Sequence, residues 1–275
     1  MKRRLRLGAA LGAAAAFAPK AWANAWGALV LFALVLASPA FLPDAWRGQA
    51  VCCLVWGAGA ILSGLALEGG LYRLGVTRTV REAQALGLGI GGLQLGRAEL
   101  RLLGAGLLVL LFLSLAAAAG GVLLAFVMSA TGLAETQWGD AWGLWRMALG
   151  GDGRAIVLAG FAAAVGWAVL QLGVRLSLYK AATVARSRMV SLDAMSMAQG
   201  SFWPLLAGVV LISLPGLLLA GWKPDPALFG ASGERVLAVI RAAIVTLVQV
   251  PLAIGFLSSA YKQLEYWSGS QDGGN

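Results

Sequence analysis

RLSLYKAATVARSRMVSLDAMSMAQGSFWPLL, residues Arg175 to Leu206, decides how the rest of the chain is read. An apolar run delivers it, it carries Arg175, Lys180, Arg186 and Arg188 against the single acid Asp193, and it turns back into a second apolar run. Basic residues at such a reversal mark a cytoplasmic elbow between two membrane spans.

Composition supports a membrane setting for that elbow. Of 275 residues, 60% are hydrophobic and 12% charged, more apolar surface than a soluble domain can hide while keeping a wetted exterior. Mean hydropathy of +0.81 points the same way. The net charge of +9 raises a nucleic-acid reading, but the basic residues sit beside apolar runs and lack interleaved polar or aromatic readers. They read as topology-setting charges that touch anionic lipid headgroups, with no nucleic-acid partner. The chain has no histidine, which removes the usual proton shuttle and the commonest metal ligand. Its two cysteines, Cys52 and Cys53, are sequence neighbours in an apolar run and read as small buried residues, not as a zinc or disulfide framework.

A transmembrane helix needs about 20 apolar residues. Six stretches qualify, at about 22–42, 50–72, 102–129, 155–179, 203–221 and 236–261. Pro215 and Pro251 fall inside the last two and are expected to kink them. The connections around Asp44/Arg47, Glu135–Arg154 and Lys223–Arg235 balance near zero, whereas the N-terminal tail, the Arg73–Arg101 connection and the elbow are rich in Arg and Lys. That alternation predicts both termini in the cytoplasm. Residues 1–265 read as one transmembrane domain and 266–275 as a flexible cytoplasmic tail.

The N-terminus imitates a secretory signal, with Lys2, Arg3, Arg4 and Arg6 before an Ala-rich run and an Ala21-Trp22-Ala23 site. Pro19 and Lys20 interrupt it and a span follows at once, so residues 1–23 are expected to stay on the chain as an interfacial helix. Between the third and fourth spans, Trp138, Trp142 and Trp145 recur at helical spacing and read as a periplasmic helix in the headgroup belt, with ligand stacking as the competing use.

Aligning the inward-running spans exposes a degenerate repeat. Tyr72-Arg73, Tyr179-Lys180 and Tyr261-Lys262 close the second, fourth and sixth. Each odd span is preceded by a small-residue or amphipathic segment, at Ala15 to Asn24, Arg81 to Glu99 and Val190 to Ser201. The expected fold is therefore an all-α membrane protein of six spans in three hairpins, each hairpin following an interfacial helix. Tyr72, Arg73, Tyr179, Lys180, Arg186, Arg188, Tyr261 and Lys262 form its expected cytoplasmic interface.

Within the elbow, Arg175-Leu176-Ser177-Leu178, Ala182-Thr183-Val184-Ala185 and Gly200-Ser201-Phe202-Trp203-Pro204-Leu205-Leu206 resemble a family of bacterial six-helix inner-membrane proteins related to the membrane domain joined to some glycerophosphodiester phosphodiesterases. Relatives often show Pro, Trp and Thr-Arg where this chain has Ala181, Met195 and Ala198-Gln199. The resemblance implies a helical integral membrane protein and implies no catalytic residue, since the phosphodiesterase chemistry of such fusions belongs to a soluble domain.

Glu68 and Arg175 each lie four residues before a corner tyrosine, so they are expected at similar depth. Ionisable groups there are costly unless paired or hydrated. An ion pair pinning the second and fourth spans is one reading; Arg175 snorkelling to headgroups and Glu68 reaching water is the other. Gln171, Arg241 and Gln249 mark a candidate polar path, against snorkelling and interhelical hydrogen bonding. Gly57, Gly59, Ser63 and Gly64 make a small-residue face for close helix approach. Gly87 to Gly92 satisfies GxGxxG without the strand and helix that signature needs, and reads as a flexible approach to an interfacial helix at Leu93 to Leu103. No Walker lysine or nucleophile–histidine arrangement occurs, and no cofactor is implied. The expected function is non-enzymatic, through contacts with lipid, a membrane-protein partner or a second copy of the chain. A solute or lipid transporter is the alternative, favoured by the two proline-broken helices.

Overall fold

The computed structural model describes residues 5–132, 141–190, 193–222 and 226–272. Among them the secondary structure is helical, without strands. In chain order the helices are α1 (Leu7–Ala37), α2 (Asp44–Arg47), α3 (Ala50–Val76), α4 (Val80–Ala85), α5 (Arg97–Thr131), α6 (Ala141–Leu149), α7 (Gly153–Leu176), α8 (Tyr179–Ala185), α9 (Asp193–Met197), α10 (Phe202–Gly221), α11 (Pro226–Ile244) and α12 (Val250–Asp272). A π-helical turn, Val245–Gln249, joins α11 to α12. Among the described residues six stretches are long and apolar enough to cross a membrane: Leu7–Phe41, Ala50–Val76, Ile90–Thr131, Gly153–Ala185, Phe202–Gly221 and Arg235–Glu265. The chain is a multi-pass membrane protein by that measure.

Local chemistry sets several of these boundaries. The Thr79 hydroxyl accepts from Glu82 N–H at the start of α4, and Asp152 Oδ1 accepts from Arg154 N–H at the start of α7. Gly132 ends α5 in the left-handed conformation, φ 72°, and returns its N–H to Met128 and Ser129 carbonyls.

α1 differs most from expectation. Residues expected to lie apart as an interfacial helix are the first turns of one 31-residue helix that passes through Pro19 and is interrupted at Ala25, φ −125°. One face of those turns packs inside the protein while the other is exposed. Ala10, Ala14 and Ala21 are buried, and α1 packs most extensively on α12, where a side chain at Gly255 would meet Ala14 Cα and Phe17 Cβ at 2.9–3.0 Å. Alanine spaced along one face and a facing glycine permit this backbone approach. The start is also pinned: Leu5 N–H donates to Ser201 Oγ, and Arg6 N–H to Gln263 Oε1.

α1 also packs on α3, α5 packs on α7, and α10 packs on α11 and α12. On α3, Gly59 faces Val35 and Gly64 faces the Phe32 ring, as the small-residue face requires, whereas Gly57 meets nothing. Cys52 and Cys53 on α3 form no disulfide and are half-buried and exposed respectively, so the expectation of burial fails. The segment Arg81 to Glu99 comprises α4, a turn at Ile90–Gly92 and the start of α5, and the helix expected to begin at Leu93 begins at Arg97 as part of the long α5. The glycine run is not a loose approach. Gly91 and Gly92 have φ of 63° and 77°, and a side chain at Gly92 would collide with Ala25, so the turn is wedged against the break in α1. α12 continues through 266–272, where a flexible tail is expected.

Candidate functional site

The charged side chains gather around the last two turns of α3, where Leu67-Glu68-Gly69-Gly70-Leu71-Tyr72-Arg73 meets α5, α8 and the wedged glycine turn. Leu67, Leu71 and Tyr72 are buried and fasten the segment to the core. Glu68 receives both its oxygens' hydrogen bonds from Lys180 Nζ, at 2.6 and 2.8 Å, and the two side chains are about one-third exposed. The predicted Glu68–Arg175 pair is thereby corrected. α7 ends at Leu176 and α8 begins at Tyr179, and the bend between them brings Lys180, not Arg175, to Glu68. Arg175 is half-buried with its Nε lacking a hydrogen-bond partner.

One turn on, Arg73 Nη2 lies 2.7 Å from Glu99 Oε1 of α5, with both side chains at 5% exposure or less. The contact is ionic without hydrogen-bond alignment, for Oε1 has no donor directed at it and Arg73 Nη1 has no acceptor. Glu99 Oε2 accepts from Gly96 N–H at 3.0 Å, the reciprocal half of an N-terminal capping box. A side chain at Gly69 would sit 2.5 Å from Glu99 Oε1, so the carboxylate reaches Arg73 only because position 69 has none. At Gly70 the space is taken by Gly92 O and Gln94 Nε2, and Gln94 Oε1 accepts from Gly89 N–H.

The three tyrosine–base corners do not all face outward as an interface. Tyr72, Arg73 and Tyr261 are buried, Tyr179 and Lys180 half-buried and Lys262 exposed. Tyr261 donates to Glu265, which Arg186 Nε also approaches at 3.5 Å. Arg188 is exposed. Lys20 Nζ donates to Leu74 O at 3.0 Å and Lys262 Nζ to Thr77 O at 3.4 Å, so cations from α1 and α12 cap the carbonyl end of α3. Beyond it, Glu82 Oε2 accepts from Arg78 N–H at 2.9 Å. That backbone bond holds the Glu82 carboxyl below the usual carboxylate range, with the Thr79 hydroxyl and Arg78 charge adding to the effect.

The residues of the expected polar path have separate surroundings. Arg241 Nε donates to Leu219 O at 3.0 Å and Nη2 to Trp222 O, so its guanidinium closes the carbonyl end of α10. Gln249 lies in the π turn against Gly216, its Oε1 buried without a donor, and Thr246 Oγ1 is buried and likewise without a partner. Gln171 is half-buried on α7, whose principal neighbours are α5, α6, α9 and α10. Pro251 cannot send an N–H to the Leu247 carbonyl, and the Trp22 indole N–H supplies it instead at 2.7 Å.

Trp145 is exposed on α6, while Trp138 and the side chain of Trp142 lie outside the described residues. Glu99, Lys20 and Trp22 make helix-joining contacts that sequence reasoning missed. The signals were the Gly96-x-x-Glu99 capping pattern and the Gly69-Gly70 pair beside an acid. Chemically, the corner can hold helices in register and offer guanidinium donors to an anion. Among the described residues no three His, Cys, Asp or Glu side chains converge as metal ligands would. The chain matches no protein-family model, no curated protein and no solved structure.

Proposed function

We propose that this chain is a non-enzymatic integral protein of the bacterial inner membrane that acts through lipid or a membrane partner, as an accessory or scaffolding subunit. The observation that carries the reading is the fate of its polar groups. Glu68 goes to Lys180, Arg73 to Glu99, Arg186 to Glu265 and Arg241 to the end of α10, so the charges serve helix–helix attachment and do not line a passage. The three-hairpin organisation rests on the pairwise packing of α1 with α3, α5 with α7 and α10 with α11–α12. The basic connections favour both termini on the cytoplasmic side. The kinship with phosphodiesterase-linked membrane domains rests on the elbow residues alone. α5 leaves Leu110, Leu115, Val122 and Phe126 exposed along it, an apolar face open to lipid chains or to another membrane helix.

Gentle detergent extraction of the full chain, followed by identification of what co-purifies, tests the reading. A stoichiometric membrane protein, a second copy of the chain or a retained lipid is expected. A bare monomer that instead moves a solute across reconstituted vesicles would overturn it. The transport alternative has one observation in its favour, the buried partnerless oxygens of Thr246 and Gln249 in a π turn, since such turns recur at functional sites.

A further inference from the structure

Beside the Arg73–Glu99 contact is a small pocket, about 30 Å³, walled by Arg73, Arg101, Thr183 and Ser187 with Leu86 and Ala98 closing its apolar side. Three features set it apart from the other charged contacts. Arg73 is buried, its charge is matched by Glu99, and yet Nη1 has no acceptor. Among the described residues no acid lies within ion-pair distance of Arg101, which spends one nitrogen, Nη1, on the Ser187 carbonyl. Ser187 holds φ 50°, a left-handed backbone that costs energy in a residue with a side chain and that recurs where a ligand is clamped. The surroundings are positive on balance, since Arg97 and Arg188 are exposed nearby in sequence and Glu99 is already committed to Arg73.

We propose that the pocket between Arg73, Arg101 and the Thr183–Ser187 turn binds a phosphate-type oxyanion, either the phosphodiester of a membrane lipid or free phosphate. The planar fork of Arg101 suits two oxygens of such a group, and it has nitrogens left for them. An oxygen entering beside Arg73 supplies the acceptor that Nη1 lacks. Leu86, Ala98 and Val184 make the rest of the lining apolar, which lowers the local dielectric and strengthens both contacts. The inference rests on the lipid- or partner-contact reading and makes it specific by naming the group recognised and the residues that recognise it.

The test uses the full chain, delipidated in detergent and examined by native mass spectrometry with added phosphatidylglycerol, with diacylglycerol of the same tails, and with inorganic phosphate as competitor. Phosphatidylglycerol is expected to be retained and diacylglycerol not. Arg101→Gln weakens retention about tenfold, the worth of one good charged contact. Arg235→Gln, an exposed arginine on α11 that does not line the pocket, leaves it unchanged. Competition by inorganic phosphate identifies the free anion as sufficient; its failure assigns the site to lipid. Ala98→Leu fills the pocket without removing charge and is expected to act like Arg101→Gln, so it decides the matter if Arg101→Gln does not fold. Equal retention by wild type, Arg101→Gln and Ala98→Leu overturns the proposal, as does equal retention of diacylglycerol. The broader reading fails differently, when nothing co-purifies from native membranes even though the pocket binds added phospholipid.

Discussion

Glu68 on α3 is held by Lys180 on α8, with 2.6 Å between Nζ and Oε1, while Arg175, four residues before Tyr179, takes no part. The pair lies between a surface bridge, worth little, and a fully buried one whose single removal is costly. Lys180→Met is therefore expected to lower stability in detergent by about 1–3 kcal/mol, and Arg175→Gln by less. A double-mutant cycle across Glu68→Gln and Lys180→Met should give a positive coupling. The same cycle with Arg175→Gln should give none; coupling there would restore the pair expected from sequence.

The six spans were legible because hydropathy over about 20 residues needs no knowledge of neighbours. The error at Arg175 was of another kind. Counting back from Tyr179 assumes one unbroken helix, and the chain bends between Leu176 and Tyr179. At the N-terminus, Pro19 and Lys20 looked like interruptions. Lys20 is instead matched to the carbonyls closing α3, a partner 54 residues away that no local pattern announces. Glycines carried a readable signal of close approach at Gly59 and Gly64, but which element fills the space at Gly69 or Gly70 is tertiary information.

Gly69 makes a sharper case for close approach. A methyl there would press on Glu99 Oε1, the oxygen beside Arg73, while Oε2 of the same carboxylate is held by Gly96 N–H. Gly69→Ala should expel the carboxylate and strand the Arg73 charge, at a cost of about 2–4 kcal/mol. Gly57→Ala on the same helix meets nothing within 4 Å and should be neutral or stabilising in a thermal-shift series. Equal losses at both positions would remove the special status of Gly69.

The turn between α3 and α4 should loosen in acid. Glu82 has its folded-state pKa depressed, chiefly by the Arg78 N–H bond, so its contribution is full above the ordinary carboxylate range and is lost as pH falls through the lower folded value. Hydrogen exchange at the Arg78 amide should therefore gain an acid-dependent opening once intrinsic exchange rates are corrected. Glu82→Gln should flatten that dependence. A profile identical in the two proteins would show that the carboxylate does not hold the turn.

Trp22 and Pro251 should be energetically linked although they stand at opposite ends of the sequence. The Pro251 ring displaces the regular α ladder, the chain widens into the Val245–Gln249 π turn, and the Leu247 carbonyl loses the donor an α-helix would have given it. The Trp22 indole fills that vacancy at 2.7 Å. Trp22→Phe keeps most of the ring packing and removes the donor, so it should cost about 1 kcal/mol, more if water cannot reach the carbonyl. In a Pro251→Ala background residue 251 regains its N–H and can satisfy Leu247 itself, so the same Trp22→Phe change should cost much less. The difference between the two costs is the coupling, measurable by a thermal or denaturant cycle in detergent. Additive effects would mean that Trp22 acts through ring packing alone, and that the carbonyl freed by Pro251 is satisfied in some other way.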